Sequence, residues 1–142
     1  ISYKNNNFLV ALDAKLIDYA SGEFSFGFDK DVRLDKNKEI NDLLRTVLNI
    51  NIGGEYLIPD LGFTVRAGLM YKPSAFKDDP SDFDKKFITF GLGYKLSKKL
   101  NFDIAYAYGW WKDFGDNYGS NLSRVHQEIN VGNLLTTIKY FF

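Results

Sequence analysis

Cysteine is absent from the 142 residues, so no disulfide framework and no cysteine-ligated zinc site is available. No apolar run reaches about 18 residues and mean hydropathy is -0.25, so no transmembrane helix is encoded. That leaves membrane-spanning strands open, because they alternate and look only mildly apolar on average. Charge of either sign is also missing as an excess. The net charge is +0 and the pI about 6.8, which gives no basic surface and no nucleic-acid partner. Proline occurs 3 times and histidine once. The single His126 sits where a loop meets a strand and reads as a surface residue rather than a ligand or base. No signal peptide is visible, and Ile1 is not a natural start, so a mature or trimmed polypeptide is expected.

What is present is aromatic residues, 17% of the chain, together with 12 glycines. Rings flanked by glycine and short polar turns favour β-structure. The C-terminal stretch, Glu128 to Phe142, has a period of two. Phe142, Tyr140, Ile138, Thr136, Leu134 and Gly132 share one face, and a more polar set holds the other. The same pattern marks Phe8 to Tyr19, Leu44 to Leu57, Gly62 to Lys72, Phe87 to Leu96 and Asn101 to Trp111. About six strands are thus expected, joined alternately by long and short connections. The long ones, about 20–43, 73–86 and 112–127, are solvated, with a helical turn near Lys38 to Leu44. Long loops on one side and short turns on the other are the asymmetry of outer-membrane barrels, which places the long loops outside the cell.

Pairing along the hairpins suggests Tyr56 opposite Phe63, with Ile52, Ile50 and Leu48 facing Ala67, Leu69 and Tyr71. It also suggests Leu96 opposite Phe102, which sets Lys95 against Asp103 as an ion pair. Bulk indicates which face meets lipid. The apolar face carries too much aromatic volume for the inside of a small barrel, and the other is rich in glycine, alanine and asparagine. Tyr56, Phe63, Tyr94, Phe102, Tyr140 and Phe142 are expected in one aromatic girdle, with Tyr71 and Trp110 in the second. The expected fold is all-β, an antiparallel transmembrane β-barrel. Known single-chain barrels begin at about eight strands and an open edge in hydrocarbon is not viable, so a larger barrel is implied.

On the inner face, Arg66, Gly68, Gly91, Gly93, Asp103, Ala105 and Ala107 are the candidate ligand and lumen residues. The small ones leave room for a plug or an apolar ligand, or only relieve crowding; the pattern does not separate the two. Arg66 can hold a ligand carboxylate or form a structural ion pair, and the latter weighs more. Asp13, Lys15, Arg45, Glu55 and Lys139 share that face and are expected to neutralise one another. Asp78, Asp79, Asp82 and Asp84 could hold calcium, but the interleaved Lys77, Lys85 and Lys86 favour a solvated acidic loop. Gly91-Leu92-Gly93 precedes no helix and is no phosphate loop. Nothing suggests catalysis, a metal or a cofactor.

The runs GGEYLIPDLGFTVRAGLMYKPSAF (Gly53 to Phe76) and FGLGYKLSKKLNFDIAYAY (Phe90 to Tyr108) resemble the C-terminal half of the FadL/TodX family. ALDAKLIDYA (Ala11 to Ala20) resembles its Asp-x-Lys strand. Relatives include PorV-like and spirochaete FadL-like barrels. The resemblance implies an outer-membrane barrel of about fourteen strands, with a plug and a lateral opening in an N-terminal half. It also implies passage of hydrophobic compounds such as long-chain fatty acids. A non-transporting PorV-like partner of a secretion system and a general porin are the alternatives. The expected partners are outer-membrane lipid, a hydrophobic small molecule and, through the closing strand, the barrel-assembly machinery.

Overall fold

The structure is a computed structural model and describes residues 1–116 and 124–142. Seven strands form one antiparallel sheet in sequence order: β1 (Ser2–Lys4), β2 (Phe8–Asp18), β3 (Thr46–Ile58), β4 (Phe63–Lys72), β5 (Lys85–Lys95), β6 (Leu100–Asp116) and β7 (Arg124–Tyr140). The sheet does not close and is a partial barrel. The alternation of apolar and polar residues fixes which side of each strand faces which way, and the registers keep every apolar face on one side.

The sheet has almost no buried core. Val47, 4% exposed, and Phe83 are its buried hydrophobic residues. Leu69 and Phe90, each 59% exposed, and Ile138, 71% exposed, stand on the apolar face with their neighbours. A water-soluble domain would bury such a surface.

Several expectations need correction. There are seven strands rather than six; the added β1 pairs Ser2, Tyr3 and Lys4 with Ala11, Val10 and Leu9. It is too short to show a period. Both hairpin registers shift by two residues. Ile58, not Tyr56, faces Phe63, so Ile52 meets Leu69 and Ile50 meets Tyr71. The reason is the turn. β3 runs to Ile58, and Asp60 and Gly62 both take positive φ, 66° and 67°, so the chain reverses across four residues, 59–62. Likewise Tyr94, not Leu96, faces Phe102, and Asp103 lies opposite Gly93 instead of Lys95. Ser97 N–H donates to Leu100 O at 3.1 Å and closes that turn beyond Lys95.

The connections differ too. Within 20–43 lies α1 (Lys30–Leu43), a full 14-residue helix rather than a turn near Lys38 to Leu44, and none of its residues is buried. Leu44 leaves the expected strand to form an isolated bridge with Phe76. Lys85 and Lys86 belong to β5, so the second long connection ends at Asp84. β6 and β7 extend into the expected 112–127 loop, pairing as far as Asp116 with Arg124; residues 117–123 of that loop lie outside the described residues.

Candidate functional site: the polar face of the sheet

The polar face is organised by Arg66, which leaves the centre of β4. Its Nε donates to Glu55 Oε2 at 2.5 Å on the adjacent strand β3. Its Nη1 donates to Asp103 Oδ1 at 2.6 Å, two strands away on β6. The guanidinium must therefore cross β5, and it can because, beside Arg66, β5 offers only Gly91 and Gly93 on this side. A Cβ placed on Gly93 would stand 2.6 Å from Asp103 Oδ1 and 3.1 Å from Arg66 Nη1. Lys139 of β7 completes the chain, its Nζ 3.2 Å from Asp103 Oδ2. Four charges thus tie β3, β4, β6 and β7 together over a bare stretch of β5. Charge-assisted, planar pairing is what an arginine rather than a lysine provides at such a junction.

Beside this network lies a hollow of about 700 Å³. Gly53 and Gly68, which face each other across β3 and β4, form its floor, with Leu9, Ala11 and Met70 as apolar walls. Asp13, Asn51, Glu55, Arg66 and Thr89 provide its polar edge. A Cβ on Gly53 would find only Ala67 O at 3.7 Å, so this glycine is open. Other small residues of the face are covered. The Phe87 ring lies directly over Gly109, and Thr89 Oγ1 stands 2.7 Å from where a Gly68 Cβ would be. Covering of a strand glycine by a neighbouring ring is a recurrent packing device in sheets.

Of the candidate residues, Arg66, Gly91, Gly93, Asp103 and Ala105 come together in one patch. Gly68 belongs to the hollow, and Ala107 lies opposite Thr89 at its far side. Asn51 and Thr89 were not anticipated. Asn51 faces Asp13 across β2 and β3 and donates Nδ2 to Asp13 Oδ2 at 3.0 Å; only the strand register reveals that pair.

On the apolar face Phe63, Tyr94 and Phe102 fall in one cross-strand row, with Phe63 and Tyr94 stacked at 4.4 Å. Tyr56 is opposite Phe8 nearby, and Tyr140 meets Phe142 edge-on at 5.1 Å. Tyr71 and Trp110 share a row through Lys86 at the other end. Eight residues separate Phe63 from Tyr71, about 27 Å along the strand and, with the usual tilt, close to the apolar band of an outer-membrane wall.

The acidic residues of the second connection go to separate donors. Asp84, 3% exposed, accepts from the Tyr71 hydroxyl and from Ser74 N–H; Asp79 accepts from the Ser74 hydroxyl; Asp82 pairs with Lys112 at 2.9 Å. Among the described residues no group of three or more metal-ligating side chains is gathered. His126 packs against Phe114, ring centres 4.7 Å apart.

Residues 5–135 match the family model described as outer membrane protein transport protein (OMPP1/FadL/TodX). The chain belongs to this family. No curated protein and no solved structure matches it. This is an outer-membrane protein, all-β and without a membrane-spanning helix among the described residues. Family members serve transport across that membrane, of hydrophobic compounds.

Proposed function

We propose that this sheet is wall to a channel through which hydrophobic compounds, long-chain fatty acids among them, diffuse across the outer membrane. The observation that carries the reading is the hollow on the polar face, with its glycine floor and aliphatic sides. A face built for water and hydrophilic solutes would have charged side chains there instead. Glu55, Arg66, Asp103 and Lys139 are gathered beside the hollow and paired with one another. Girdle rows at both ends set the depth of the wall in the lipid.

The test is uptake. Gly53 has open space above it, so Gly53→Trp would fill the hollow without breaking the sheet. Liposomes holding the full-length protein should take up a labelled long-chain fatty acid, and Gly53→Trp should reduce the rate several-fold. Swelling in sugar solutions should stay low, against the porin alternative. Equal uptake by a folded Gly53→Trp barrel would refute the reading.

A second reading, docking of a protein partner at the extracellular side, has one observation in its favour. Phe24, Phe26 and Phe28 crowd one exposed loop before α1, with Phe26 84% exposed. Capture of a secretion component by the wild type but not by Phe26→Ser would support it.

A further inference from the structure

The polar edge of the hollow is unevenly equipped. Arg66, its cation, is already balanced by Glu55 and Asp103. Asp13 is not balanced: among the described residues no cation lies within ion-pair distance of it, and its carboxylate is held only by the Asn51 amide at 3.0 Å. Asp13 is also central, five residues from either end of β2, so it stands near mid-depth in the wall. Charges are ordinary on a barrel's inner face, but one left without a counter-ion beside an apolar floor is a candidate ligand position. Its neighbours in the hollow are Leu9, Ala11, Gly53 and Met70, which offer it no donor from their side chains. Among the side chains lining the hollow, carboxylates outnumber cations by one.

Resting on the channel reading, we propose that this hollow prefers apolar molecules ending in a hydrogen-bond donor and carrying no negative charge, with Asp13 as the acceptor. A hydroxyl can donate to the free carboxylate lone pairs while its chain lies along the glycine floor. A carboxylate of equal length brings acceptors to an acceptor and a second negative charge into a site whose one side-chain cation, Arg66, is already paired. Repulsion at a separation of several ångström in a partly dehydrated site is worth about a factor of ten in affinity.

The experiment measures binding of three twelve-carbon probes, 1-dodecanol, dodecanoate and dodecane, to the full-length polypeptide in detergent solution at pH 8. The alcohol should bind about tenfold more tightly than the carboxylate. Asp13→Asn keeps an acceptor oxygen and removes the charge. It should raise dodecanoate affinity about tenfold, weaken dodecanol several-fold and leave dodecane unchanged. A purely structural Asp13 would move all three probes together, and that result would overturn the proposal. So would a wild-type protein that prefers dodecanoate, which would leave the channel reading standing. If none of the three probes binds, the channel reading fails and this inference with it.

Discussion

Gly93→Ala tests the passage of Arg66 across β5 to Asp103. The added methyl would stand 2.6 Å from Asp103 Oδ1, well inside contact distance, and 3.1 Å from Arg66 Nη1. Both atoms end flexible side chains, so backbone need not move; the methyl instead separates the pair. Asp103 is 17% exposed and Arg66 39%, so screening reduces what the link contributes to about 1 kcal/mol. Against that, alanine has less backbone freedom to lose than glycine, a gain of about 0.4–1 kcal/mol in a compatible backbone. Gly93→Ala should therefore be neutral or destabilising by up to about 0.6 kcal/mol in the wild-type background. In Asp103→Ala the clash is gone and only the gain remains, so the sign should reverse. Urea unfolding in lipid vesicles, followed by tryptophan fluorescence, gives all four corners of the cycle. A coupling below about 0.3 kcal/mol would refute the claim that the bare strand exists to let Arg66 through.

Three further outcomes follow from the same geometry. Gly109→Ala places a methyl inside the Phe87 ring and should cost about 1–3 kcal/mol as overpacking, relieved by adding Phe87→Leu; the same urea series checks it. Asp84→Ala strands the Tyr71 hydroxyl and Ser74 N–H, and should cost about 2 kcal/mol and speed proteolysis within residues 73–84. The Asp82–Lys112 pair gives that same connection a pH response: Lys112 holds the Asp82 carboxyl below its ordinary value, and Asp82 raises the Lys112 ammonium. The tether's contribution is complete above the ordinary carboxylate range and lost as pH falls through the depressed value; at the alkaline end it is lost as pH rises through the raised one. Cleavage within 73–84 should therefore rise below about pH 4 in the wild type. Asp82→Asn should be cut faster at neutral pH, with a smaller acid step, since Asp79 and Asp84 remain.

The sequence made the faces legible but not the steps along them. A period of two determines which residues look outward, and a slide of two residues leaves that unchanged, which is why the Phe63 and Phe102 partners were displaced while every face was right. The turn residues held the missing information, since Asp60 at positive φ lengthens the reversal in a way composition does not reveal. Only the last turn of α1 was legible, because its residues are mostly polar and none is buried, so no 3.6 period stands out. The ends of β6 and β7 were hidden for a related reason: beyond Trp110 the residues are mostly polar, and alternation disappears although pairing goes on. The Arg66–Asp103 link needed three strands in register at once. Its one sequence trace was the Gly-x-Gly of β5, legible as space but not as a passage for an arginine.

The strand count has a consequence for assembly. In an antiparallel sheet of seven, β1 and β7 run in the same direction. A second copy brought round the pore axis would set its β1 beside β7 head-to-head, making a parallel seam in a wall that is antiparallel everywhere else. Two such sheets therefore cannot complete a pore as equal halves. Whatever stands between β7 and β1 in an antiparallel ring must contribute an odd number of strands, beginning and ending opposite in direction to the edges it meets.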